Sequence, residues 1–105
     1  MFLSIYITAS DQEEAEKIGE TVVRERLAAC ANIIPNIHSI YWWNDRLEKS
    51  DETVLILKTT EENAEAIIRR VKELHSYENP CIVALPIIKG SREYLKWIKE
   101  ETKKS

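Results

Sequence analysis

The 105-residue sequence predicts an α+β domain in which helices cover one face of a four-stranded antiparallel sheet. Three observations carry that prediction. Apolar residues alternate at the strand period, switch to the 3.6-residue period of a helix, and switch back. The segments run β-α-β-β-α-β, with one further helix at the end. Two glycines and three prolines leave little room for long linkers. This order is the split βαβ, ferredoxin-like arrangement, and residues 1–105 read as a single domain.

Each element has its own signal. "FLSIYITA" (Phe2 to Ala9) is β-rich and apolar, a buried strand. "SDQE" reads as a capping box, with Ser10 as N-cap and Glu13 reaching back. Ala15, Ile18, Val22 and the Leu27/Ala28 pair give the first helix its inner stripe. "ACANIIPNIHSIYWWND" is a long β-type stretch that bends or bulges at Pro35-Asn36. The polar "NDRLEKSDE" holds the next turn, and "TVLILKTT" follows as a strand. Thr60 starts a second helix, lined inside by Ala64, Ile67, Ile68, Val71 and Leu74. "CIVALPII" is the fourth strand, at an edge where Pro86 costs no ladder bond. Ser91 opens a last helix after Gly90, and the closing "ETKKS" reads as frayed.

One feature does not suit a monomer. In "CIVALPII" both alternating sets are apolar, and "SIYWW" places Tyr41 and Trp43 on one side and Ile40 and Trp42 on the other. Apolar surface on both faces of strands near sheet edges predicts association through the sheet.

Composition excludes several classes. A net charge of −3 argues against a general nucleic-acid binder. No stretch approaches the roughly 20 apolar residues of a membrane span, and the first residues lack a basic leader with a cleavage site, so the cytoplasm is the expected compartment. Cys30 and Cys81 are expected as free thiols there. An RNA-recognition sheet needs stacking aromatics on its third strand, and "TVLILKTT" has none. An acylphosphatase-type cradle needs glycines after the first strand, where "TASDQEE" has carboxylates instead.

The chemistry concentrates in "KELHSYENPC". His75, Glu78 and Cys81 offer nitrogen, oxygen and sulfur donors that suit copper or zinc. The same string is also a helix stop, with Asn79 forced extended by Pro80. Both readings stay open on the residues alone. Lys58 alternates with Val54 and Ile56, so it snorkels or pairs with a carboxylate, with Glu78 a candidate across an interface. With His75, Tyr77 and Glu78 it would make a small polar pocket. Cys30 reads as a buried small hydrophobe, and His38 as a half-buried strand residue. Strand alternation groups Cys81 with Val83 and Leu85, which favours its burial.

Taken together, "RERLAACANIIP", "SIYWWN", "LILKTT", "ELHSYENP" and "ALPI…YLKWI" resemble the CutA divalent-cation tolerance family over nearly the whole chain. The resemblance implies a homotrimer of ferredoxin-like subunits, similar in assembly to the PII signalling proteins. It implies no enzymatic reaction, a role in tolerance of copper and other divalent cations, and binding of such ions. It also implies that Trp43 lies near an intersubunit cleft with the His-x-Tyr-Glu turn, making Trp43, Lys58 and Tyr77 candidate cleft residues. The chain departs from the family where Ser76 and Cys81 replace a proline and a glutamate. Ile7 and Leu74 stand where some members carry a copper-ligating cysteine and histidine. A module that binds a small molecule or a protein partner in PII-like clefts is the competing function.

Overall fold

The computed structural model describes residues 1–103. Four strands, β1 (Phe2–Ala9), β2 (Cys30–Trp43), β3 (Arg46–Thr60) and β4 (Ile82–Ile87), form one antiparallel sheet in the order β2-β3-β1-β4. Helices α1 (Gln12–Arg24) and α2 (Ala64–Leu74) connect them, and α3 (Arg92–Lys103) closes the chain. The predicted βαββαβ order and extra helix are therefore present. Glu101–Lys103 continue α3 where fraying was expected, while the remaining two residues of "ETKKS" lie outside the described ones.

The core lies between the sheet and α1 and α2. Leu3, Ile5, Ile7 and Ala9 alternate inward from β1 and face Leu55 and Leu57 of β3. Ala15, Ile18 and Val22 of α1, with Ile67 and Val71 of α2, close over them. Gly19 lets α1 lie close to the sheet, since an added Cβ would stand 3.1 Å from Ala31 and Leu55 side chains.

Several local expectations change. Asp11, not Ser10, caps α1: its Oδ1 accepts the Glu14 N–H at 2.8 Å. Ser10 donates to the Glu14 carboxylate through both its backbone and its hydroxyl. Glu14, in place of Glu13, thus reaches back, but to Ser10, the residue before the cap, and not to the cap's own N–H. Leu27 and Ala28 are packed inward but lie beyond α1, past a left-handed Arg26 (φ 65°) two residues after the helix ends. Thr60 does start the helical segment, through a single 3₁₀ turn (Glu61–Asn63) before α2.

The largest difference is the second hairpin. A two-residue turn, Asn44-Asp45, makes it, both residues being left-handed (φ 51° and 61°) as a type I′ turn requires. Residues 46–51, read from the sequence as turn, are strand. Before this arm, β2 bulges: the register with β3 slips between Ile34 and Ile37, around a left-handed Asn36 (φ 62°). The ladder then continues from Ile37↔Glu52 to Trp43↔Arg46. Among the described residues no other strand flanks this ribbon, and they measure 44 × 26 × 22 Å.

Candidate functional site

The segment after α2 turns on His75. Its backbone leaves the helix (φ −79°, ψ 143°), and its ring is buried beneath the turn. Nε2 lies 2.8 Å from the Thr8 carbonyl oxygen, which can only accept, so Nε2 carries the proton. Nδ1 accepts the Tyr77 N–H at 3.0 Å, so it carries none. Both nitrogens are thus committed to fixing the turn against β1. The Ser76 N–H donates to Glu14 at 2.8 Å, tying the same turn to α1. Burial pushes the Glu14 carboxyl upward, but the hydrogen bonds from Ser10 and Ser76 outweigh it and hold the group below its ordinary value.

This anchored turn forms one wall of a cleft of about 610 Å³. Tyr77, Glu78 and Cys81 come from the turn; Tyr41, Trp42 and Trp43 come from the arm; Thr8 and Glu52 lie at the base. Glu52 is the first β3 residue paired after the bulge, and it is only 8% exposed. The Tyr77 hydroxyl donates to its Oε2 at 2.8 Å. Burial and this bond to a carboxylate push the Tyr77 phenol well above its usual range. Cys81 is exposed, against the sequence expectation. It does share a face with Val83 and Leu85, but that face points away from the helices, with Val83 48% and Leu85 51% exposed.

The structure therefore brings Trp43, Tyr77, Glu78 and Cys81 to one cleft. It places His75 beneath the wall and Lys58 elsewhere on the sheet. Lys58 donates from Nζ to Asn32 Oδ1 at 2.9 Å, an amide in place of the expected carboxylate. His38 is not half-buried; it is exposed on the arm, with Nδ1 2.6 Å from Asp51 Oδ1. Cys30 is partly buried, 3.5 Å from the Tyr94 hydroxyl, and that contact with burial pushes the Tyr94 phenol up to about 12. Among the described residues, no three His, Cys, Asp or Glu side chains converge as an ion site. Sequence reasoning missed Glu52. Its signal was present: a carboxylate in phase with Val54 and Ile56 on a strand.

The model of the CutA1 divalent ion tolerance protein matches residues 3–101. The chain belongs to the CutA1 divalent ion tolerance family. A divalent-cation tolerance protein CutA from Thermus thermophilus is 46% identical over 98 residues, covering 93% of this chain and 95% of the relative. The chloroplastic protein CutA 1 of rice is 39% identical over 96% of this chain, which spans 57% of that longer relative. Among solved structures, the periplasmic divalent cation tolerance protein CutA from Archaeoglobus fulgidus superposes with a TM-score of 0.94 at 44% identity. That match covers 97% of this chain and 99% of the other. The CutA relatives support a general role in divalent-cation tolerance. No helix among the described residues is long and apolar enough to cross a membrane.

Proposed function

We propose that this CutA chain acts in the cellular response to divalent cations, copper and zinc among them, as a cytoplasmic homotrimer without catalytic activity. In this reading an ion binds at the cleft between the arm and the α2–β4 turn, with Glu78 and Cys81 as two of its donors. The observation that carries the proposal is their meeting in one cleft, an oxygen and a soft sulfur donor on a turn held rigid by His75. A single chain does not assemble a closed ligand set. The remaining donors then come from a neighbouring copy. Association is favoured by Trp42 (72% exposed), Ile40 (65%) and Leu47 (55%) on the arm and by the apolar outer face of β4.

The test is a copper and zinc titration of chelator-treated protein by calorimetry, with gel filtration alongside. The expected result is saturable binding, lost in a Glu78→Ala, Cys81→Ser double variant that keeps its assembly. Equal binding by the variant would sink the cleft as the metal site. A second reading, a cleft for a small molecule in a PII-like signalling module, is favoured by one observation: four aromatic side chains line the cleft, and aromatic faces recognise organic ligands far better than bare ions.

A further inference from the structure

Charge is unevenly spread along the chain. Residues 89–105 hold six of its fifteen Lys and Arg and three of its eighteen Asp and Glu, a net charge of +3, whereas residues 1–88 carry −6. An asymmetry of this kind points to a partner at the basic end. Helix α3 arranges that charge on one side. Arg92, Lys96, Lys99 and Lys103 follow one another at four, three and four residues. At about 100° per residue they fall within an arc of about 60° and form a stripe about 16 Å long. All four are exposed, and Ile98, the fully buried residue of the helix, lies on the other side. The carboxylates of α3 leave most of the stripe uncompensated. Glu101 is turned to Arg26, 2.7 Å away. Glu100 meets Lys96 at 3.8 Å with both side chains more than half exposed, a weak pair. Glu93 lies about a quarter-turn off the stripe. Arg92, Lys99 and Lys103 enter no ion pair among the described residues.

The chemistry of the partner follows from what stands beside the stripe. Ile88, 89% exposed, and Lys89 lie just before it. A row of cations with an exposed aliphatic residue at its head suits a lipid surface, where the charges meet anionic headgroups and the apolar side chain enters among them. A long flexible polyanion such as RNA would also meet the acidic remainder of the chain and be repelled, whereas a flat bilayer touches only the side presented to it. We propose that α3 makes a reversible contact with anionic membrane surfaces, with Arg92, Lys96, Lys99 and Lys103 on the headgroups and Ile88 between them. One stripe of four cations binds weakly, and an assembly that presents several copies of α3 to one bilayer gains by avidity. The contact is independent of the cleft and of any ion bound there.

The experiment is sedimentation of the full chain with lipid vesicles, with a chelator present so that no divalent ion bridges protein and phosphate. Partition onto vesicles with about 30% phosphatidylserine should exceed that onto pure phosphatidylcholine by about tenfold or more. It should fall by about tenfold or more between about 0.1 and 1 M salt, as the Debye length shrinks from about 10 to 3 Å. The triple variant Arg92→Gln, Lys99→Gln, Lys103→Gln should lose the anionic preference, and Ile88→Ser should weaken it. A control removes the same charge elsewhere: Lys17→Gln, Arg69→Gln, Lys72→Gln, all exposed on α1 and α2, should bind as the parent does. Circular dichroism checks that each variant is folded. An equal loss in both triple variants would reduce the effect to net charge and overturn the proposal. So would equal binding to both kinds of vesicle. Retention of the chain by polyuridylate or by an acidic protein, but not by vesicles, would give the stripe to another partner. Release from vesicles by inorganic phosphate at constant ionic strength would make it a site for free phosphate instead.

Discussion

Strand β3 runs through two environments. From Thr53 to Thr60 it pairs with β1, and from Val54 to Lys58 with β2 as well, with helices over one face, and Leu55, Leu57 and Thr59 are fully buried. From Arg46 to Asp51 its only strand neighbour among the described residues is β2, and Leu47 is 55% exposed. The β2–β3 ladder resumes beyond the bulge at this boundary, but the burial does not. An isolated two-stranded ribbon is marginal in water. The arm is therefore held by its tight turn and by attachment to a sheet stabilised elsewhere, and its apolar side chains are left available. The packed half fixes the fold, while the arm contributes one wall of the cleft.

Substitutions can test how separate the halves are. Leu57→Ala should cost about 2–5 kcal/mol in urea denaturation, as large-to-small changes in a closed core do. The matching change on the arm, Leu47→Ala, should cost no more than about 0.5 kcal/mol in a chain with a free arm. A cost at Leu47 approaching that at Leu57 would show that the arm is covered in solution.

The turn beneath the cleft should fall between these extremes. His75→Ala strips a partner from the Thr8 carbonyl and the Tyr77 N–H, and should cost about 1–3 kcal/mol in the same melts. An unchanged midpoint would mean that the ring merely fills space. On the arm, Asn44→Val forces a β-branched residue into the left-handed region and should cost about 1–2 kcal/mol. Asp45→Gly should recover a few tenths, as about expected for a type I′ turn.

The smallest effect is a dependence on pH. Hydrogen bonds from Ser10 and Ser76 hold folded Glu14 below its ordinary value of 4.5. Its stabilising contribution is therefore present above about that pH and lost as pH falls through the depressed folded value. Glu14→Gln should flatten the acid limb of a stability–pH curve and leave the neutral and alkaline limbs parallel to those of the parent.

The packed half was legible in the sequence and the arm largely was not. Inward residues on β1, α1 and α2 follow simple periods, and Ile5, Ile18 and Ile67 lie where those periods put them. The arm was misread because Asn44-Asp45 lacks the glycine that usually marks a type I′ turn, and because Arg46 to Asp51 carries a single apolar residue, Leu47. Cys81 shows a different limit. Alternation correctly grouped it with Val83 and Leu85, but a period of two does not say which face meets the helices. Of the cleft, Trp43, Tyr77, Glu78 and Cys81 were legible as candidates. Glu52 was missed although it stands in phase with Val54 and Ile56, because that period does not reveal the Tyr77 hydroxyl that meets it from 25 residues away.

The central position of β1 has a consequence for how the chain is made. Phe2–Ala9 leaves the ribosome before either of its neighbours exists, since its pairing partners are Thr53–Thr60 on one side and Ile82–Ile87 on the other. Until Thr53–Thr60 have been made, its four inward apolar residues have no sheet to join. A nascent chain of this topology therefore carries an unpaired apolar segment until then, and slowing translation before residue 60 should lengthen that exposure.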